Sequence, residues 1–298
     1  MWMNMGYWKG STDETTLSEA CRDLLKAVLG EADLIARQHG QDEVRDTGRK
    51  IFLLDIGFGC GEQTKYLTSA EPVSPRDEIW WDKNGQSVLF DRYVGITKDR
   101  VQAQYASDNI APLKQRNSGS TINLFCADAS QPSSWPSELH TTLDSAVEKC
   151  PERWCLALDT AYHFSPSRWP IIKYASSHLR ASFMAFDLCI SPTATLTQKL
   201  ILRLLTALMG APWANFVTID EYRRELIMAG YSEDAIKIID ISEHVFTPLA
   251  RYVSAQEKKL GMLGLQLGGL AVAGTMFRWW GKCGVVQGVI VVAKKSGR

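Results

Sequence analysis

The sequence carries no excess charge of either sign. Its 298 residues include 33 lysines and arginines and 33 aspartates and glutamates, so the formal net charge is zero. A protein that gathers a polyanion through its overall field needs a surplus of positive charge. The balance therefore argues against nucleic acid as a partner, and against an anionic membrane that is attracted by net charge alone.

The seven cysteines lack any regular spacing, and none of them belongs to a C-x-x-C pair. Such scatter is typical neither of a disulfide framework nor of a metal-binding motif, so we expect reduced thiols and no metal site. The opening stretch MWMNMGYWKGSTDE also lacks the apolar core of a signal peptide. These features together predict a cytoplasmic location.

One long apolar run needs an explanation. Residues 260–277, LGMLGLQLGGLAVAGTMF, contain no charged residue and approach the length of a membrane-spanning helix. Five glycines and Gln266 make the run a poor spanning helix, and a segment typical of a last β-strand follows it. We favour an apolar cap over a pocket. An interfacial contact is the second interpretation, and a true span is the third.

Short β-rich runs alternate with helix-length segments along the rest of the chain. An amphipathic helix over 16–38, with Thr15 or Thr16 as its cap, precedes the first run. Strands are predicted at 51–56, 93–96, 121–127, 154–159, 181–190, 236–242 and 288–295, and helices at 98–116, 167–179, 196–210 and 220–230. This alternation predicts an α/β fold with a seven-stranded, mostly parallel, doubly wound sheet.

We expect a single domain over residues 1–298 with additions to that sheet. An N-terminal lid helix is placed within 1–45, and helical cap insertions at about 191–232 and 257–282. The intervals 71–91 and 129–153 are rich in Pro, Ser, Asp and Trp and are interpreted as surface excursions.

The stretch IFLLDIGFGCGE at 51–62 places three glycines directly after a predicted buried strand. The spacing is D-x-G-x-G-x-G, which differs from the G-x-G-x-x-G of dinucleotide sites because the third glycine comes one residue early. Glycine serves where the backbone must approach a ligand closely, and Asp55 could hold an ammonium group. The turn suits a ligand with a cationic amine and no phosphate. Glycines needed for packing alone are the alternative.

This turn resembles the first motif of the class I S-adenosylmethionine-dependent methyltransferases. The resemblance implies that S-adenosyl-L-methionine is the cofactor and that its methionine part is surrounded by four residues, Asp55, Gly57, Gly59 and Gly61. Phe58 stands where smaller residues are more common in that family.

Two further stretches extend the resemblance. YVGITKDRVQAQYA at 93–106 is similar to the cyclopropane-synthase, sterol and tocopherol methyltransferase group, which implies that Thr97 and Gln102 contact the ribose. As alternatives, Thr97 caps the following helix and Gln102 is solvated. FCADAS at 125–130 implies that Asp128 contacts the adenine amine, with Ala129 beside the ring; a surface turn is the alternative.

The resemblance also reaches both the N-terminus and the fourth strand. Tyr7, with Trp8, is expected to fold over the cofactor or the acceptor. LALDTAYHFSPSRW at 156–169 contains D-x-x-x-H where related enzymes have E-x-x-x-H. We expect His163 to be a general base if the acceptor must lose a proton, with Asp159 orienting it or stabilising positive charge on the acceptor. A structural histidine is the alternative.

The acceptor pocket is expected from the apolar segments 191–222 and 260–280, although these could equally be ordinary core. The sequence thus predicts a methyltransferase for a small lipophilic acceptor such as a terpenoid, sterol-like, polyketide or alkaloid molecule. A non-methylating cyclase or binding protein on the same fold is the alternative. A nicotinamide dehydrogenase is disfavoured by the glycine spacing. Peripheral membrane contact through 260–280 stays open.

Overall fold

One seven-stranded sheet organises the chain. The computed structural model describes residues 2–35, 50–68, 90–116, 120–265 and 268–295. The strands within that part are β1 (Ile51–Ile56), β2 (Arg92–Thr97), β3 (Thr121–Cys126), β4 (Glu152–Leu158), β5 (Ser182–Ile190), β6 (Ile236–Asp240) and β7 (Val286–Ala293). Each corresponds to one of the seven predicted runs.

The strand order is β3-β2-β1-β4-β5-β7-β6. Six of these strands run in the same direction, and β7 runs opposite to them, between β5 and β6. The chain moves outward from β1 to β3 and then returns to β4, so the order reverses between β1 and β4. Asp55 on β1 pairs in register with Gly95 on β2 and Leu156 on β4. Ligands of open α/β sheets bind at such a reversal, outside the carboxyl ends of the strands. The predicted fold class is confirmed.

Helices cover both faces of this sheet. They are α1 (Leu17–Glu31), α2 (Glu62–Thr68), α3 (Arg100–Arg116), α4 (Ser137–Lys149), α5 (Trp169–Ser177), α6 (Leu196–Leu208), α7 (Ile219–Met228), α8 (Phe246–Gly261) and α9 (Gly269–Cys283). Alternate residues of β1 show why two layers form: Phe52 and Leu54 pack into one apolar cluster, while Leu53 packs into the cluster on the other side.

The first helix packs beneath the sheet rather than over a pocket. Thr16 caps α1 with a reciprocal capping box to Glu19, as one of the two predicted caps. Leu24, Leu25 and Val28 are completely buried, and α1 contacts β5 and β7. The lid expected within residues 1–45 is therefore not α1. Residues 36–49 lie outside the described part of the chain.

Two intervals of the sequence were interpreted as surface excursions. Residues 71–89 lie outside the described part. The interval 129–153 contains α4, so that expectation was wrong there. Leu139, Leu143 and Ala146 of α4 are buried at helical spacing. The expectation was based on the Pro- and Ser-rich composition of the interval and did not consider this apolar spacing.

The apolar run 260–277 divides between two helices. Its first residues end α8, and its last residues belong to α9, which packs along α8 so that Gly274 lies against Val253. Among the described residues, no helix combines the length and the hydrophobicity that a bilayer crossing needs.

Candidate functional site

The glycine turn after β1 takes a backbone path that a side chain would obstruct. Gly57 has φ +93°, and a Cβ atom there would lie 2.5 Å from Oγ1 of Thr160. Gly59 has φ +61°, and a Cβ atom would meet only Sδ of Met3, at 3.7 Å. Gly61 faces α3 instead, where a Cβ would lie 2.8 Å from Cβ of Ala106. Gly59 thus borders open space, whereas Gly57 lets the Thr160 side chain approach the turn and Gly61 allows α2 and α3 to pack.

Asp55 lies behind this turn in a fully buried network. Its Oδ2 accepts hydrogen bonds from the Tyr93 hydroxyl (2.5 Å) and from Nε2 of Gln63 (2.7 Å), whereas Oδ1 is buried with no partner. Loss of hydration raises the pKa of the Asp55 carboxyl to about 6, although both hydrogen bonds oppose the shift. A buried acceptor of this kind is costly unless a donor reaches it.

The end of β2 supplies a polar pair. The Thr97 hydroxyl donates to Oε1 of Gln102 at 3.2 Å, which joins the last residue of β2 to the first turn of α3. The helix cap is Asp99, whose Oδ1 accepts from the backbone N–H groups of Val101 (2.8 Å) and Gln102 (3.0 Å). The alternative in which Thr97 caps the helix is therefore wrong, and its side chain points to Gln102.

Asp128 follows β3 and is held by neighbouring donors. Nζ of Lys98 lies 2.7 Å from its Oδ2, and the Ser130 backbone N–H (2.9 Å) and hydroxyl (2.6 Å) donate to its Oδ1. Partial burial alone would raise the pKa of Asp128, but the hydrogen bonds from Lys98 and Ser130 outweigh it and hold the pKa below its usual range. The carboxylate is thus charged and fixed in orientation.

These elements meet around one cleft of about 390 Å³ at the carboxyl edge of the sheet. Its lining includes eight of the predicted site residues: Gly57, Gly59, Thr97, Gln102, Asp128, Ala129, Asp159 and His163. Three predicted residues lie outside the lining. Asp55 is buried behind the glycine turn, Gly61 faces α3, and Tyr7 packs against His244.

The position of Tyr7 corrects an expectation. Its ring stands edge-on to His244, with centroids 5.3 Å apart, and Trp8 is buried with its ring 5.0 Å from that of Tyr252. Neither aromatic ring covers the cleft. Tyr7 packs against the 3-10 turn Ser242–His244, and Trp8 packs against α8. Residues 2–4 line the cleft instead.

Met3 is a lining residue that sequence reasoning did not assign to the site. Its Sδ lies 3.8 Å from Sγ of Cys60 and 4.0 Å from Nε2 of Gln102, beside Gly59. The side chain is about half exposed. Any ligand held by Gly59 and Gln102 shares this part of the cleft with the Met3 thioether. No local sequence signal predicts a contact across about a hundred residues.

Asp159 at the end of β4 anchors the N-terminal segment. Its Oδ2 accepts from the backbone N–H of Met5 at 2.6 Å, and its Oδ1 accepts from the Tyr162 hydroxyl at 2.9 Å. Its φ of +59° is uncommon for a residue other than glycine. Burial raises the pKa of Asp159 to about 7, against the effect of both hydrogen bonds. Both oxygens are thus engaged away from His163, and the expected orienting bond to that residue is absent here.

His163 closes a short 3-10 turn, Ala161–His163, at the mouth of the cleft. The residue is exposed, and its ring lies 4.3 Å from that of Tyr162. Loss of hydration lowers the pKa of the imidazole, and the charge of Asp187 only partly opposes this shift. The ring is therefore neutral at neutral pH, the state in which it can accept a proton.

Asn215 braces the turn that carries His163. Its Nδ2 donates to the carbonyl oxygens of Tyr162 (3.0 Å) and Phe164 (2.8 Å), on both sides of His163, and its Oδ1 accepts from the backbone N–H of Arg168 (3.0 Å). Asn215 is completely buried. All three polar contacts of its amide therefore fix the loop after β4.

A buried ion pair extends this support. The Arg168 guanidinium is paired with Asp187 of β5, and both side chains are completely buried. The Tyr222 hydroxyl donates to Oδ2 of Asp187 at 2.9 Å. The pair links the loop after β4 to β5 and α7.

The segments expected to form the acceptor pocket do not line this cleft. Neither 191–222 nor 260–280 contributes to its lining. The apolar lining comes from the N-terminal segment, the glycine turn, the end of β4 and the loop that follows it, and includes Trp2, Phe58, Leu158, Tyr162 and Phe164. Asn215, within the first segment, acts on the site only through the backbone of the loop after β4. No cluster of His, Cys, Asp and Glu that could hold a metal is found among the described residues.

Asp159 predicts a pH dependence of stability. Because its folded pKa of about 7 lies above its unfolded value, the native state binds more protons between about pH 4 and pH 7. This contribution to the free energy of unfolding therefore falls as the pH rises through that window. The pKa of His163 is lowered in the folded protein, so its contribution to the free energy of unfolding rises with pH below the unfolded pKa of histidine.

We expect Asp159→Asn to remove the Asp159 contribution, since asparagine tolerates positive φ and stays neutral. Urea unfolding of the ligand-free protein at pH 5, 6, 7 and 8 measures it, and the difference between wild type and variant cancels the slope due to His163. Parallel profiles of the two proteins would contradict the assignment.

The sequence matches no family model, and no curated protein is significantly similar to it. Solved structures do match. A provisionally assigned sarcosine dimethylglycine methyltransferase from Galdieria sulphuraria is 13% identical, with TM-score 0.65 and 98% and 93% of the two chains covered. The (4+2)-cyclase SpnF is 17% identical (TM-score 0.58; 99% and 89%). Mycolic acid cyclopropane synthase CmaA1, in complex with SAH and CTAB, is 12% identical (TM-score 0.59; 98% and 90%). The fold is that of class I methyltransferases.

Proposed function

We propose that this protein is an S-adenosylmethionine-dependent methyltransferase that acts on a small lipophilic acceptor. The observation that carries the proposal is the meeting of four separate polar features at one cleft. These are the glycine turn in front of Asp55, the Thr97–Gln102 pair, the oriented Asp128 carboxylate and the exposed imidazole of His163.

The residues fit the cofactor in both charge and space. The unpartnered Oδ1 of Asp55 is an acceptor, and Gly59 leaves the backbone of the turn uncovered, which suits an amino-acid tail with an ammonium group. Thr97 and Gln102 would hold the ribose hydroxyls, and Asp128, beside Ala129, would accept from the adenine amine. When bound, the cofactor supplies an electrophilic methyl group.

The remaining residues of the cleft act on the acceptor. Neutral His163 takes a proton at a ring nitrogen when the acceptor is a hydroxyl or an acidic carbon. Asp159 and Asn215 hold the segments on either side of that imidazole, which supports catalysis by positioning. Apolar side chains at the cleft, Trp2, Leu158 and Phe164, favour a lipophilic acceptor.

A non-methylating cyclase is the second candidate. One structure of similar fold is named as a (4+2)-cyclase. Both candidates bind the same cofactor, so only transfer of the methyl group distinguishes them.

The experiment has two stages. Adenosylhomocysteine should raise the melting temperature in proportion to its occupancy of the native state, while NADH should not. Protein is then incubated with methyl-labelled cofactor and a lipid-soluble cell extract, and mass analysis identifies what gains the label. Tight cofactor binding without a labelled product in any fraction would favour the cyclase.

We expect His163→Ala to leave cofactor binding unchanged and to slow methyl transfer by about 100-fold or more, the range typical of a general base. Labelled-cofactor turnover with one fixed extract fraction measures it, and adenosylhomocysteine titration is the control. Because the His163 side chain is exposed, the variant should fold. Full activity would reduce His163 to a structural role.

A further inference from the structure

One helix presents an apolar face to solvent. Leu196, Leu200, Leu204 and Leu208 recur at every fourth residue of α6, and Ile201 adjoins them; these five side chains are between 44% and 86% exposed. We call them the α6 apolar face. Residues four apart lie on one side of a helix. The opposite side holds the buried Leu202 and Thr206, so the helix is anchored to the protein while the apolar face points outward.

The charged residues of α6 itself are both cationic. Residues 188–219 contain no acidic residue, and the two charged residues in that stretch are Lys199 and Arg203 of α6 itself. Arg203 is exposed and Lys199 is half-buried. Hydrogen bonds from Thr218 lower the pKa of Glu221 at the start of α7, and the charge of Lys199 adds to that shift, so this acid lies within the field of Lys199. Leucines beside basic residues on one surface helix are typical of helices that lie in a lipid headgroup layer.

The size of the face argues against a second copy of this chain as its partner. A helix of 13 residues is about 20 Å long and about 10 Å wide, so it offers about 200 Å² of footprint. A stable protein interface buries about 800 Å² of accessible surface on each partner, so a second copy would also have to cover residues beyond α6. A lipid surface has no such requirement, because insertion depends on apolar side chains and on nearby charge.

The place of α6 in the fold connects it to the site. The helix follows β5 and so begins at the carboxyl edge of the sheet, where the cleft opens. It contacts the short turn Trp213–Asn215, and Asn215 in turn holds the carbonyl oxygens of Tyr162 and Phe164 at the cleft. A surface resting on α6 would thus lie beside the loop that carries His163.

We propose that the α6 apolar face docks reversibly on an anionic lipid surface. The zero net charge of the chain does not oppose this, since attraction at short range depends on Lys199 and Arg203 rather than on the whole molecule. The inference goes beyond the proposed function and does not need it, because lipid binding is measured without cofactor.

The test is vesicle flotation of the full chain. We compare vesicles of phosphatidylcholine alone with vesicles that contain one quarter phosphatidylglycerol. Binding to the anionic vesicles should be stronger by about 5-fold or more, the effect of one basic residue near such a surface. Leu200→Gln/Leu204→Gln should lower it by about 10-fold or more through lost apolar burial. Lys199→Gln/Arg203→Gln should remove the preference for anionic lipid.

Met262→Gln/Val272→Gln is the matched control. These side chains are 81% and 71% exposed on the α8–α9 hairpin, so the variant removes similar apolar surface away from α6. It should bind vesicles like wild type. Because all substituted residues in both leucine and control variants are exposed, unchanged melting temperatures should confirm folding.

Three results would overturn the inference. One is a folded wild-type protein that floats with neither vesicle. Another is loss of binding in the hairpin control but not in Leu200→Gln/Leu204→Gln. The third is a dimer in sedimentation analysis that the leucine substitutions dissociate, since the face would then belong to a second copy.

Discussion

Asp55→Asn should lower the affinity for adenosylhomocysteine by about 10- to 150-fold, which corresponds to about 1.5–3 kcal/mol for a hydrogen bond to a charged group. The asparagine oxygen can accept from Tyr93 and Gln63 as Oδ2 does now. Its amide nitrogen then takes the place of the unpartnered Oδ1. An acceptor that could hold an ammonium group is thereby replaced by a donor, while the buried network is kept.

Isothermal titration measures the effect, and Asp91→Asn is the control. Asp91 stands just before β2, where its Oδ2 accepts from the Ile51 backbone N–H (2.8 Å) at the opposite end of β1. The same chemical change at that end should leave affinity within about 3-fold, as expected for an energy change below about 1 kcal/mol. Wild-type affinity in Asp55→Asn would refute the role of the carboxylate.

Gly59→Asn should weaken cofactor binding by about 5- to 150-fold without unfolding the protein. Asparagine tolerates the left-handed backbone that Gly59 adopts at φ +61° better than most residues do. Its side chain would extend past the Met3 thioether into the cleft, because no other atom lies within 4 Å of a Cβ at this position. A side chain in the space that the bound cofactor would fill costs about 1–3 kcal/mol, or about 5- to 150-fold in affinity.

Gly10→Asn is the matched control for this substitution. Gly10 has φ +71°, and a Cβ there meets nothing within 4 Å, so the backbone strain is similar but the cleft is untouched. Titration with adenosylhomocysteine should show weakened binding for Gly59→Asn alone, and thermal melting should show that both variants fold. If both variants bind like wild type, the cofactor does not lie against the glycine turn.

The sequence-based prediction was most accurate where structure is determined locally. Most strands are buried apolar runs, and β3 and β6 at the two edges of the sheet are β-rich runs with partial burial, so all seven positions could be predicted within two residues. The Thr97–Gln102 pair lies within one strand-to-helix connection, and its five-residue spacing is enough to bring the two side chains together. The turn that holds the three glycines after β1 is also specified by consecutive residues, although Gly61 packs against α3 and does not line the cleft.

Contacts between distant segments could not be predicted in this way. Met5 meets Asp159 across 154 residues, and Asn215 meets Tyr162 across 53. Their chemistry gives no signal, since one partner in each pair is a backbone group that every residue carries. Tyr7 was expected at the cleft because of the family resemblance of the N-terminal segment, but its position depends on His244, which only the folded chain brings near.

The most direct test of the central claim is the pH dependence of adenosylhomocysteine affinity, measured by titration from pH 8 to pH 5. Because the pKa of Asp55 is about 6, the carboxylate is charged at pH 8 and neutral at pH 5. We predict one site per chain whose affinity falls as the pH drops through about 6, and a flatter profile in Asp55→Asn. The absence of binding at pH 8, or identical profiles for the two proteins, would contradict the account.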